Sequence, residues 1–220
     1  MYVPHFNALD DEAALRAMVA AVGSAQLVTV GADGYPRATL LPVIWTGDTV
    51  VCHLARANPH WREIADDSPA LLVVSGPQAY VSPSWYPAKA EHGRVVPTWN
   101  YAAVQLTGRA RVHHDPEWLR QAVDELVTRH EASRPDPWSS ADAPDRYITG
   151  QLRAIVGVEI TVEGVIGKEK YSQNRSAADR RGVADGLAGE DDADAAEIGR
   201  IMASRLDGPE SRAPEAVPDR

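Results

Sequence analysis

From Thr98 to His113 the chain alternates over its longest run, with Trp99, Tyr101, Ala103, Gln105 and Thr107 on one side and Asn100, Ala102, Val104 and Leu106 on the other. A period of two belongs to extended strand, so the fold must supply a sheet for it. Neither side is cleanly polar, so either both faces are covered or one meets a partner. The flanking sequence supplies other strands. QLVTV, the glycine-containing Gly31 to Gly34 and YPRATLLPVIW read as a hairpin, and Thr46-Gly47-Asp48 turns into a third strand, TVVCHLA, to make a meander. Leu71 to Ser75 and Ala79 to Ser82 read as short strands divided by Gly76-Pro77, and AIVGVEITVEGVIGKEKYS as a last strand with a bulge near Gly164 or Gly167.

Helical spacing marks the gaps between these strands. Leu15, Met18, Val19 and Val22 predict an opening helix, with Asp10 as its N-cap and Gly23 as its stop. A short helix follows Asn58-Pro59, a longer one runs from Asp115-Pro116-Glu117 to about Ser133, and residues 145–154 and Ala177 to Leu187 read as two more. About six or seven strands with helices at the beginning, middle and end favour an α+β fold, a small barrel flanked by helices, rather than a Rossmann alternation. Residues 1–188 are expected to form this domain, and 189–220 an acidic, proline-containing tail, largely disordered, in which Ala195 to Leu206 can make one isolated helix.

Charge narrows the function. The net charge is −9, and nine acids against four arginines from residue 189 onward leave −4 on residues 1–188. Gripping nucleic acid needs clustered excess Lys and Arg, so DNA binding starts without electrostatic support. No basic start followed by an apolar run and no membrane-length apolar stretch occur, which predicts a cytoplasmic chain with no membrane partner. Cys52 is the single cysteine, so an intrachain disulfide and a cysteine-based zinc site are excluded.

Several segments hold polar and aromatic residues that packing alone does not require. Arg56 and Asn58 at a strand end, beside a helix start, suit an anion such as phosphate; alternatively Arg56 pairs with Asp66 or Asp67 and Asn58 caps the helix. Arg37 and Thr39 share one side of the preceding strand and add a cation and a hydroxyl if the two strands pair; otherwise they are exposed. Trp61, Trp85, Trp99 and Tyr101 offer flat surface for a planar ligand or fill the core. His53 and His60 flank the anion corner, as ligand-polarising or metal-binding groups or as structural histidines. No H-E-x-x-H helix, Walker loop or G-x-S-x-G elbow is present, so no catalytic residue is assigned and no metal site is expected.

The opening MYVPHF, LARANPHW (54–61), AYVSPSWYP (79–87), EHGRVVPTWNYAAV (91–104), AIVGVEI (154–160) and GKEKYSQNRSAADRRGVADGL (167–187) together resemble the PaiB family, described as FMN-binding negative transcriptional regulators. The resemblance implies an FMN-binding split β-barrel in which a homodimer completes each flavin site, a fold similar to that of pyridoxamine phosphate oxidases. It implies Arg56, Asn58 and Thr39 as phosphate or ribityl ligands, Trp61, Trp99 and Tyr101 as walls of the ring pocket, and Gln173, Asn174 and Arg175 reaching the flavin of the opposite subunit. A flavin-dependent oxidoreductase using NAD(P)H fits the same fold. The related piperazate synthases imply a further alternative, heme b with His60 or His53 as axial ligand. The chain departs from the family pattern at Gln105, where His is usual, and at Tyr171, where Leu is usual.

Overall fold

The computed structural model describes residues 1–207. The chain divides into two compact units, one built from residues 11–74 and 104–166, the other from 1–10, 75–103 and the chain from Gly167 onward. Three long strands, β6 (Ser68–Val81), β7 (Thr98–His113) and β8 (Ile155–Lys170), contribute residues to both.

In the first unit, α1 (Glu12–Val22) leads into β2 (Ser24–Val30), β3 (Pro36–Pro42), β4 (Ile44–Thr46) and β5 (Thr49–Ala55). Asp11, one residue later than predicted, caps α1 by accepting from the Ala14 amide, and Gly23 closes the helix at φ 66°. Only a residue without a Cβ adopts that left-handed turn cheaply. Strand order is β3-β2-β6-β7-β8-β5-β4. The predicted meander holds in its two hairpins: β3 pairs with β2 and β4 with β5, the expected second strand being divided at Val43, and β5 pairs on its other side with β8. The pairing with β8 aligns the buried Val50, Cys52 and Leu54 of β5 with the buried Ile160, Val158 and Val156. The Gly76-Pro77 break is also overridden, since β6 runs through it.

Two helices pack together on this unit. α3 (Pro116–Glu131), capped by Asp115, and α4 (Asp145–Arg153) bury Leu119, Ile148 and Leu152 against Trp118, Val123 and Ile155. Burying a leucine or isoleucine side chain stabilises by roughly 1.5–3 kcal/mol, so three such residues tie this layer down.

In the other unit, β1 (Ala8–Leu9) pairs with β8, and the short α2 (Ala88–Glu91) precedes β7. Helix α5 (Ala177–Ala188) is capped by Ser176. The boundary expected at residue 188 is corrected here: Ala193–Asp207 form α6, which buries Ala195, Ile198 and Met202. It is not isolated. A Cβ at Gly199 would stand 2.9 Å from the Ala184 carbonyl and the Ala188 amide, so glycine lets α6 lie directly on the α5 backbone. Acidic composition predicts disorder here, but the apolar i, i+3, i+7 positions Ala195, Ile198 and Met202 have a face to bury against. The disorder predicted for the last dozen residues lies outside the described residues.

Candidate functional site

In the first unit the structure brings Arg37, Thr39, Asn58 and His60 together. Thr39 lies opposite the fully buried Leu27 in the β2–β3 ladder, and Arg37 opposite Thr29, so both side chains take the inner face of the hairpin. The 3-10 turn Pro59–Glu63 then carries His60 between them. His60 is 4% exposed, and its two ring nitrogens meet Thr29 Oγ1 at 2.9 Å and Thr39 Oγ1 at 2.8 Å. Asn58 Nδ2 reaches Thr39 Oγ1 at 3.5 Å, while Asn58 Oδ1 accepts the His60 amide and so caps the turn. Burial holds the His60 imidazole below its usual range, with Arg37 adding to the effect and Glu63 opposing it. A neutral imidazole donates at one nitrogen and accepts at the other, and the two hydroxyls satisfy both roles. For His60 to ligate a heme iron, one of these bonds would have to break.

The corner is electrostatically closed. Arg37 binds Asp33 at 2.7 Å and Glu63 at 3.2 Å, so two carboxylates face one guanidinium. Arg56 does not pair with Asp66, which binds Arg111, and its guanidinium donates to the Arg153 carbonyl at 2.8 Å and the Ile155 carbonyl at 2.9 Å. The Arg153 carbonyl ends α4 and Ile155 opens β8, so Arg56 satisfies one acceptor that the helix leaves open and ties it to the strand that follows. Trp61 Nε1 donates to the Arg56 carbonyl, and its ring meets His114 edge-on. The phosphate of FMN needs net positive charge, and this donor set does not offer it to a ligand in the arrangement seen.

His53 lies elsewhere. It stands opposite Gly157 in the β5–β8 ladder, and a Cβ at Gly157 would come within 2.0 Å of the Trp118 ring, so His53 faces the layer beneath α3. Its Nδ1 is buried without a protein partner, and burial lowers its pKa. Cys52 points the opposite way into the core, where burial pushes the thiol up to about 12.

The remaining predicted residues fall in the other unit. Trp99 is 46% exposed, meets Tyr80 edge-on, and donates from Nε1 to Gln78. Tyr101 lies under the Lys168 ammonium, 5.1 Å from Nζ to the ring centre. Gln173 is occupied within its own turn, accepting the Tyr171 amide and donating to the Glu169 carbonyl. That turn carries Ser172 at φ 61°, with its hydroxyl on the buried Asn100. Asn174 is exposed, and the Arg175 guanidinium lies 5.0 Å from the centre of the Tyr86 ring. A cleft of about 620 Å³ opens among Tyr80, Trp85 and Trp99, rimmed by Glu190, Asp192 and Asp194.

Lys168 and Lys170 lie in the GKEKYSQNR stretch of the family resemblance, which assigns them no role. Lys168 is 7% exposed and donates to the Tyr2 carbonyl at 3.1 Å, and Lys170 donates to Thr98 Oγ1 and the Trp99 carbonyl. The legible signal was the Lys-Glu-Lys alternation at the end of a strand, which sends both amines to one side.

The strand order and flanking helices define an α+β split-barrel protein. The fold is similar to that of the FAD and heme binding protein from Mycobacterium smegmatis, with a TM-score of 0.57 and 19% identity over 74% of this chain and 73% of that one. It is also similar to the flavocytochrome Anf3 from Azotobacter vinelandii, with a TM-score of 0.56 and 18% identity over 76% of this chain and 70% of that one. Residues 1–164 match the family model described as "Putative FMN-binding domain", and the chain belongs to that family. It is 29% identical to protease synthase and sporulation protein PAI 2 of Bacillus subtilis, over 94% of this chain and 98% of that protein. The PaiB resemblance read from the motifs thus extends along nearly the whole chain. An uncharacterized protein of Aspergillus fumigatus is 36% identical over 61% of this chain, which spans 57% of the fungal protein.

Proposed function

We propose that this chain is an FMN-binding protein of the PaiB type that works as a homodimer in a regulatory role. Membership of the FMN-binding domain family supports the flavin, and the ligand would supply electron transfer at its ring. The observation that carries the dimer is an uncovered apolar sheet face. In the β3-β2-β6 ladder, Val28, Val30, Ala38 and Leu40 project to one side with Leu71 and Val73, and Val30 and Leu40 remain 64% and 62% exposed. Water contact at such a face is costly, and a second copy of the same strands removes it.

The regulatory reading leans on the name of the B. subtilis relative, which ties that protein to protease synthesis and sporulation. Charge opposes a direct grip on DNA: the chain carries −9, and Arg181 of α5 is paired with Asp207. Regulation is therefore assigned to the flavin-bearing dimer acting on a partner molecule.

Two measurements test this. Titration of the apo-protein with FMN should give an affinity tighter than about 100 μM, or about −5.5 kcal/mol; weaker binding removes FMN as the cofactor. Light scattering should give about twice the 23.8 kDa chain mass. A monomer that still binds FMN tightly would rule out the shared site.

A further inference from the structure

Alternation along the end of β8 separates two sets of side chains. Glu169 and Tyr171 face α6, where Arg205 binds the Glu169 carboxylate at 2.6 Å and lies 5.3 Å from the Tyr171 ring centre. Lys168 and Lys170 occupy the alternate positions, next to the start of β7. Among the described residues neither lysine has a carboxylate within ion-pair distance, because the one acid between them is held by Arg205.

This is a costly arrangement for an empty surface. Lys168 is more than nine-tenths buried, and a buried ammonium needs either a counter-charge or a full set of acceptors. Its acceptor in the protein is the Tyr2 carbonyl, with the Tyr101 ring as a weaker contact. Lys170 uses Thr98 Oγ1 and the Trp99 carbonyl. Each ammonium has three N–H groups, so Lys168 retains two and Lys170 one. Burial and the neighbouring Lys168 charge push the Lys170 amine below its usual range, as expected of two like charges with nothing between them.

We propose that Lys168 and Lys170 are an anion clamp that holds the phosphate group of the flavin. The assignment rests on the FMN reading above and moves the phosphate away from Arg56, Asn58 and Thr39. Two ammonium groups match a phosphate monoester in charge, and their free N–H groups match its oxygens in number. Trp99 and Tyr101, both expected to wall the ring, adjoin this clamp, whereas the Arg56 corner lies in the other unit.

The test uses the full chain, FMN, riboflavin and inorganic phosphate. Wild type should prefer FMN to riboflavin by about 100-fold, equivalent to two tenfold steps of about 1.4 kcal/mol each. Lys168→Gln/Lys170→Gln should bring that preference to within about threefold while leaving riboflavin affinity unchanged, and Lys168→Arg/Lys170→Arg should retain it. A double Gln variant that keeps the full preference overturns the clamp and leaves the FMN reading intact. If the double variant does not fold by circular dichroism, Lys170→Gln alone is the test: about a tenfold loss of preference supports the clamp, and no loss overturns it. If wild type binds neither flavin, the FMN reading fails, and with it the flavin assignment. The pair is then judged as a site for free phosphate, which should shift the lysine Nζ resonances of wild type in nitrogen-detected NMR at millimolar concentration. Unmoved resonances overturn the anion site itself.

Discussion

Two clusters of cations differ in how their charge is spent. Around His60, Arg37 is met by Asp33 and Glu63 and Arg56 by two main-chain carbonyls, so each guanidinium answers a need of the fold. At the end of β8, Lys168 and Lys170 have carbonyl, hydroxyl and ring partners but no counter-charge among the described residues. A satisfied cation holds its own chain in place, while a desolvated cation without an acid has a reason to take an anion. Residue type does not separate the two clusters; their partners do.

The largest expected effect lies at His60. Replacing it with Ala removes the shared partner of Thr29 and Thr39 and leaves a void, so stability should fall by about 2–4 kcal/mol in urea unfolding. If this corner is structural, FMN preference over riboflavin in the folded fraction stays unchanged. A stable His60→Ala protein that has lost that preference would move the phosphate back beside Thr39.

Arg56→Ala gives the next test, since it withdraws donors from the Arg153 and Ile155 carbonyls. Because the site is partly open to water, the expected cost is about 1–2 kcal/mol, again without a change in phosphate preference. Equal stability with weakened FMN binding would reverse the roles assigned to the two clusters.

The smallest effect is a pH dependence. His60, His53 and His113 are all held below their ordinary value of 6.5, chiefly by burial. A depressed histidine means that the unfolded chain takes up protons first as pH falls. The stability these groups contribute is therefore complete above pH 6.5 and is lost as pH drops toward their folded values, by at most about 1.4 kcal/mol per pH unit for each histidine. Chemical denaturation across that range should show the decline, and His60→Gln should flatten it. An equal slope in the variant would assign the dependence to His53 and His113.

Local chemistry was legible where neighbours in sequence are neighbours in space. Asp115 followed by Pro116 and Glu117 marks the start of α3, Gly23 ends α1, and Asn58 caps the turn that carries His60. The long alternation from Thr98 to His113 is β7 itself, with one face buried and Trp99 exposed on the other. The grouping of Arg37, Thr39, Asn58 and His60 was also readable, since a hairpin face and an adjoining turn fix it. Both hairpins of the meander were readable too, but the β5–β8 pairing was not, because it joins segments far apart in the chain. The disorder expected of the tail fails over Ala193–Asp207, since the apolar face of α6 is worth ordering only once α5 is there to receive it.

By itself the sequence determined the period of each strand, the capped helix ends, the family to which residues 1–164 belong, and which side chains could carry charge to a ligand. Only the tertiary structure decided which of those charges are already spent. Ion pairing and carbonyl capping depend on groups that folding brings close, such as Glu63 to Arg37 and the α4 terminus to Arg56. At β8 the reverse holds: alternation sends Glu169 to Arg205 on the other side of the strand and leaves Lys168 and Lys170 together without an acid among the described residues.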